Sequence, residues 1–391
     1  MKTCKNCGTL NDDNAKFCGA CGARFETSDA ASSSSTASHK TSAESIAGQM
    51  MSADYWMNQV NQYVGNEQPS KLNWTVLFTD VFKNHTTDDA ERIFISGTKT
   101  TTPPLEAVSR EWPRPWLYAR VLLMFFIASC LLWLCVTAFG NENAVPGFIV
   151  VSSFAVPFST VVLFLELNVW RNFSLYQIFK VFFIGGCASL VVTLLLFAIF
   201  PVGDLDYVGA FSVGIIEEVG KALIVFHFVR RLNQPKILPA MLIGSCVGAG
   251  FAAFESAGYA FRFLLGGGWD ALMDVIFLRG ILAPGGHVAW AAISGAAMVI
   301  AFKAASGDME WGLLTKKSFL RLFIIPVVLH GLWDSPLMDI PNAIIPYSGH
   351  AGLILLVWVF ILVLCNMGLN EVNKEASMLS KPAASTAVEP K

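Results

Sequence analysis

Residues 207–231 read YVGAFSVGIIEEVGKALIVFHFVRR. The run from Tyr207 to Val229 is apolar and meets the roughly 20 residues that a membrane helix needs, yet Glu217, Glu218 and Lys221 stand in its middle. A charge at bilayer depth is costly, so such groups face the interior of a helix bundle and mark a working site. Seven further apolar runs accompany this one, at 117–139, 146–167, 178–200, 238–263, 285–302, 319–336 and 350–369. The chain is 54% hydrophobic and only 14% charged, well below the quarter or so charged in an ordinary soluble domain. The expected fold class is therefore all-α: a polytopic membrane helix bundle of about eight transmembrane helices, with a small cytoplasmic N-terminal zinc ribbon.

Three neighbouring runs repeat the anomaly of the first. Run five holds Glu255 in GFAAFESAGYAF, run six opens on His287 in GGHVAWAAISG, and run seven carries His330 and Asp334 in VVLHGLWDS. Glu217 and Glu218 lie four and three residues before Lys221, so either carboxylate can pair with the ammonium on one helix face. His330 and Asp334 are also four apart, which lets the carboxylate orient the imidazole. Gly244, Gly248, Ala252 and Glu255 share one side of run five, where small residues admit a close neighbouring helix. His227, His39, His85 and His350 read as interface residues. The seven-residue set on four successive runs is expected to converge on a cavity in the outer half of the bilayer. A single buried carboxylate can be a packing hydrogen bond; repetition on four helices argues for chemistry.

The N-terminus carries a different motif. Cys4 and Cys7 (CKNC) and Cys18 and Cys21 (CGAC) form two CxxC pairs, the spacing of a tetrahedral thiolate zinc site. Thiolates held for zinc belong to a reducing compartment, which places this end in the cytoplasm. The basic loops agree. Arg171 and Lys180, then Arg230, Arg231 and Lys236, then Lys303, Lys316, Lys317 and Arg321 fall on one side, while GNENA, PVGDLD and the stretch around Asp339 lack Lys and Arg. Only the loop with Arg262 and Arg279 breaks the pattern. The positive-inside rule then puts the N-terminus, and after eight crossings the C-terminus, in the cytoplasm. The start MKTCKNC is polar, so the first apolar run is expected to act as the insertion signal. The net charge of -2 argues against nucleic acid as a partner. The expected organisation is a zinc ribbon over 1–26, a Ser/Ala/Thr-rich flexible linker over 27–52 and a cytoplasmic or juxtamembrane segment over 53–116. The transmembrane domain follows over 117–370, with a disordered cytoplasmic tail over 371–391.

The membrane runs resemble the PrsW family of bacterial intramembrane proteases and, more distantly, the superfamily of CAAX prenyl endopeptidases and bacteriocin-processing membrane proteins. The resemblance rests on Glu217-Glu218-x-x-Lys221, Phe251-x-x-x-Glu255, His287 and His330-x-x-x-Asp334 in the family's order. It covers roughly residues 117–370. It implies an intramembrane endopeptidase of the cytoplasmic membrane of a bacterium, cutting a membrane-anchored protein near its extracytoplasmic side, as in the first cut of an anti-sigma factor. It also implies metal dependence. Glu217 or Glu218 is then the base, Lys221 holds the pair, and Glu255, His287 and His330 offer oxygen and nitrogen donors to a zinc-like divalent ion with an open water position. Without a metal, His287 and His330 donate to the oxyanion instead. Asp334 orients His330. The structural zinc belongs to Cys4, Cys7, Cys18 and Cys21.

A second class of function uses the same inventory: a non-enzymatic membrane sensor or an ion- or proton-coupled transporter retaining the fold. Serine catalysis is a poorer account, because Ser256 follows Glu255 directly and helix neighbours do not face one another. No HExxH signature is present. The topology is testable directly. Reporters fused near Lys236 or Lys316 are expected to score as cytoplasmic and one near Asp204 as external; an external N-terminus overturns the topology and the zinc assignment together.

Overall fold

The computed structural model of the protein describes residues 2–3, 9–12, 53–66, 74–305, 309–338 and 348–379. The chain divides into two compact units, Met1–Ser52 and Ala53–Lys391. In the first, β1 (Lys2–Thr3) pairs antiparallel with β2 (Leu10–Asn11), Lys2 opposite Asn11 and Thr3 opposite Leu10. The cysteines Cys4, Cys7, Cys18 and Cys21, the linker 27–52 and Asp339 lie outside the described residues.

The described residues of the second unit form helices joined by turns and short connections. Two short helices come first, α1 (Ala53–Val64) and α2 (Thr87–Phe94). Thr86 starts α2 with a capping box: its hydroxyl accepts from the Asp89 amide while Asp89 accepts from the Thr86 amide, an exchange that also holds the Asp89 carboxyl below the ordinary carboxylate range. Eight long helices follow: α3 (Leu117–Thr137), α4 (Val145–Leu167), α5 (Leu175–Ile199), α6 (Tyr207–Arg231), α7 (Ile237–Leu282), α8 (His287–Ala305), α9 (Lys317–Trp333) and α10 (Ser348–Leu379). All eight expected runs are helical in place. Among the described residues, five stretches are long and apolar enough to cross a membrane: Leu117–Thr137, Glu142–Leu167, Leu175–Ile199, Ile237–Ala305 and Ser348–Leu379. The fourth holds two of the expected runs, α7 and α8. Of the remaining two, α6 is interrupted by its own Glu217, Glu218 and Lys221, and α9 has only 17 residues.

Two helices begin on carboxylates brought from elsewhere. No side chain caps α3 locally. Instead Glu166, at the end of α4, accepts from the backbone amides of Trp116, Leu117 and Tyr118 at 2.8, 2.9 and 2.9 Å. A carboxylate there satisfies N–H groups that a helix leaves bare and complements its dipole. Glu371 does the same for α7, accepting from the Ile237 amide at 3.0 Å. It also pairs with Lys303, and Glu375 pairs with Lys236 at 2.7 Å. These ion pairs explain why α10 runs on to Leu379, past residue 370, where the sequence suggested a disordered tail.

The core sits where α7 crosses α8. Nearly every residue of α8 from Val288 to Val299 is buried, as expected of a helix that is apolar all round. The crossing is backbone to backbone: a Cβ on Gly248 would stand 2.2 Å from the His287 carbonyl oxygen, and one on Gly244 2.1 Å from that of Ala291. Further along, α7 breaks at Gly268 (φ 76°, ψ −160°), a region of backbone space essentially confined to glycine. The chain turns back there, and Leu272 beyond the break packs beside Ala260, Phe148 and Ile149. The sequence suggested a loop between runs five and six; the structure makes most of it a returning helical arm.

Residues 53–116 dock on the membrane helices. The Tyr63 hydroxyl donates to the Arg321 carbonyl at 2.6 Å and Arg321 donates back to the Tyr63 carbonyl. Tyr118 donates to the Leu77 carbonyl at 2.9 Å. At the core crossing, Gly248→Val is expected to force α7 from α8 at a cost of about 1–3 kcal/mol. Gly258→Ala in the same helix, with nothing within 4 Å of its added Cβ, should be neutral. Thermal unfolding in detergent checks both.

Candidate active site

The crossing of α7 and α8 brings His287, the first residue of α8, against α7 one helical stretch before Glu255. α6 lies alongside and contributes Glu217, Glu218 and Lys221, and α9 contributes His330 and Asp334 at its far end. All seven membrane residues singled out in the sequence meet in one cluster.

Lys221 is its centre. Its side chain is 1% exposed, and its ammonium donates to Glu218 Oε1 at 2.7 Å and to His287 Nδ1 at 2.8 Å, with Glu217 Oε2 at 3.6 Å. The Phe251 ring lies 4.5 Å from the same nitrogen, a cation–π contact in a site with little water. Glu218 is fully buried. Besides Lys221 it takes His330 Nδ1 at 2.9 Å. Because a carboxylate can only accept, this bond places a proton on Nδ1, while Nε2 faces Glu217 (3.7 Å) and Asp334 (3.3 Å). Trp290 stacks on the His330 ring at 4.4 Å and fixes its plane.

On the other side, His287 Nε2 faces Glu255 Oε2 at 3.0 Å. Since the ammonium occupies Nδ1, a neutral His287 carries its proton on Nε2 and donates it to Glu255. Arg279, on the returning arm of α7, also pairs with Glu255 and donates to Ser256 Oγ at 2.8 Å.

A cavity of about 460 Å³ opens onto this cluster, lined by Glu217, Glu255, His287, His330 and Asp334 together with Tyr259, Arg279, Trp290, Trp333 and His350. Glu218 and Lys221 are behind its wall. Glu217 Oε2 is buried and has no hydrogen-bond partner among the described residues. A metal ion would find donors here: one atom each from Glu217, His287 and His330 lie within 4.8 Å of one another. A carboxylate oxygen with two imidazoles is a zinc-type donor set, and the Glu218 bond to His330 is the outer support such ligands usually have. The residues therefore fit an ion once His287 gives up one present partner, Lys221 at Nδ1 or Glu255 at Nε2. Glu255, which the sequence grouped with the two histidines as a metal donor, lies instead between His287 and Arg279.

A family model for PrsW family intramembrane metalloproteases matches residues 174–365. Residues 174–365 are a PrsW-family domain. A zinc-ribbon domain model matches residues 3–25. No curated protein and no solved structure matches the chain. The PrsW match carries membrane peptidase activity with it and takes in α5 to α9, all four helices of the cluster included.

Three residues around the PrsW cluster were missed in the sequence. Arg279 was visible only as the basic residue on the wrong side. His350 looked like an interface residue, yet it is buried and meets Trp333 edge-on at 4.7 Å. Trp290 had no spacing signal at all. Removing Glu218 should be structurally severe, since Lys221 and His330 Nδ1 would stay buried without their partner. Glu218→Ala is expected to cost about 3–5 kcal/mol, against little for Glu217→Gln, as read by denaturant unfolding in micelles.

Proposed function

We propose that the protein is an intramembrane endopeptidase in which Glu217 is the base. The observation that carries this reading is that Glu217, and not Glu218, lines the cavity, its buried Oε2 making no hydrogen bond and facing the His287 and His330 rings. A water in the cavity gives its proton to Glu217 as its oxygen adds to the peptide carbonyl carbon, and the same proton passes to the leaving amine nitrogen. Glu218, occupied by Lys221 and His330, holds rather than reacts. With Nδ1–H on Glu218, a second proton on His330 Nε2 makes it a donor to the carbonyl oxygen, and Asp334 and Trp290 hold the ring for that role. Lys221 supplies fixed positive charge behind Glu217 and His287, where negative charge develops.

Glu217, His287 and His330 are the residues that would hold a divalent ion, probed first as zinc, and Glu217 would then be a ligand in place of the base. Such an ion polarises a carbonyl and acidifies its bound water. One observation favours a metal-free reading of the glutamate type: the Lys221 ammonium already donates to His287 Nδ1, so the cluster holds a cation of its own.

The substrate is a membrane-anchored protein cut near its extracytoplasmic side, of which an anti-sigma factor is the model. The enzyme is a multi-pass protein of a bacterial cytoplasmic membrane with both termini inside. Cys4, Cys7, Cys18 and Cys21 bind one structural zinc.

The test is cleavage of single-span membrane proteins by the full-length protein in liposomes. Glu217→Gln should lower kcat by about 10²–10⁴-fold and His287→Ala and His330→Ala should abolish turnover, while His227→Ala, an exposed position, leaves it intact. Wild type that cleaves nothing, or a fully active Glu217→Gln, ends this reading. Chelation separates the two chemistries. Activity lost and restored with zinc, also in the Cys4→Ser, Cys7→Ser variant, favours the metal; activity unmoved by chelation favours Lys221.

A further inference from the structure

The arm of α7 beyond Gly268 is held by an apolar cluster in its first half and by Arg279 in its second. Trp269 meets the Phe148 ring with centroids 5.5 Å apart, and Leu272 is fully buried beside Ala260. Past Leu272, Met273, Val275 and Ile276 pack on the same apolar cluster, Phe277 and Ile281 turn outward, 63% and 69% exposed, and Arg279 makes the arm's ion pair with the helix before the break. The arm also walls the cavity, through Leu278, Arg279 and Leu282.

Arg279 is joined to three residues on a single stretch of α7 before the break. Its guanidinium pairs with Glu255, donates to Ser256 Oγ and lies 4.7 Å from the Tyr259 ring. Glu255 Oε2 is the atom that Arg279 and His287 Nε2 share. One guanidinium thus closes the arm and sets the carboxylate that orients His287. A planar fork holds a carboxylate and a hydroxyl together in a way a lysine does not. Arg279 is also the external basic residue that the positive-inside pattern leaves without a reason, and pairing with Glu255 supplies one.

We propose that Arg279 is a positioning residue and latch: it docks the arm of residues 269–282 against Glu255, so the cavity is walled and His287 is oriented only while the arm is closed. The arm pivots at Gly268, where the backbone is in a glycine-only conformation and a Cβ would meet nothing within 4 Å. This inference deepens the peptidase reading for kinetics and stands apart from it for docking.

The experiment therefore has one readout that needs no turnover. Ala252 lines the cavity and is 6% exposed. In full-length protein, Ala252→Cys is labelled with a water-soluble maleimide, with the same chain lacking that change as background. With Arg279→Ala the labelling rate should rise about tenfold or more, and with Arg279→Lys by less. In the cleavage assay Arg279→Ala should lower kcat by about 10–100-fold, the usual loss when an outer support is removed, with partial recovery in Arg279→Lys. Adding Glu255→Gln to Arg279→Ala should cost little more than Glu255→Gln alone, because both changes break one contact. Unchanged labelling in Arg279→Ala, or losses that add in full, overturns the proposal. If wild type cleaves nothing, the peptidase reading falls and the labelling rate alone decides whether Arg279 latches the arm.

Discussion

The pairing of Lys221 with Glu218 is the constraint on which the membrane unit depends. Both side chains are essentially out of contact with solvent, and an ammonium in such a place needs compensation on every side. It receives a carboxylate from its own helix, an imidazole nitrogen from α8 and an aromatic face from α7. The Glu218 carboxylate in turn requires the imidazole of α9. Four helices are thereby fixed in rotation by one buried charge pair, whereas lipid-facing apolar surface would leave them free to turn. Glu217 benefits: one residue from this locked pair, it can face a cavity while its neighbour carries the structural load.

Much of this was legible because charge stands out against hydrocarbon. Every carboxylate inside the apolar runs from α6 to α9 is in the cluster, and i, i+3 and i, i+4 spacing gave the Lys221 and His330 pairings correctly. Periodicity does not say which of two adjacent glutamates faces a cavity; that depends on helix rotation, set by contacts with α8 and α9. The grouping of Glu255 with the histidines missed Arg279 for a related reason. The break at Gly268 reverses the chain, and the arginine comes back to a carboxylate 24 residues earlier, a relation no local pattern announces. His350 was misjudged because a histidine near a helix end usually meets the interface, and here Trp333 and the cavity wall cover it.

Residues 53–116 show the complementary case. Their aromatics suggested a small module without saying what it touched. In the structure Tyr63 and Leu77 reach α9 and α3, and Asn66 donates to Asn366 of α10 at 3.0 Å. Polar side chains at the ends of spans are satisfied by a folded N-terminal segment as well as by water. The zinc-ribbon match at residues 3–25 belongs to the other compact unit and follows from cysteine spacing alone.

The Glu166 carboxylate that closes the start of α3 has a consequence for biogenesis. When α3 leaves the ribosome its leading amides are bare, and their acceptor lies 50 residues downstream of Trp116. Bare N–H groups are tolerated poorly as water thins out. α3, which turns Met124, Phe126 and Leu131 outward, also has little to hold it but α4. The first two spans are therefore best regarded as one unit of membrane insertion, a hairpin whose first leg is finished only when its second has been synthesised.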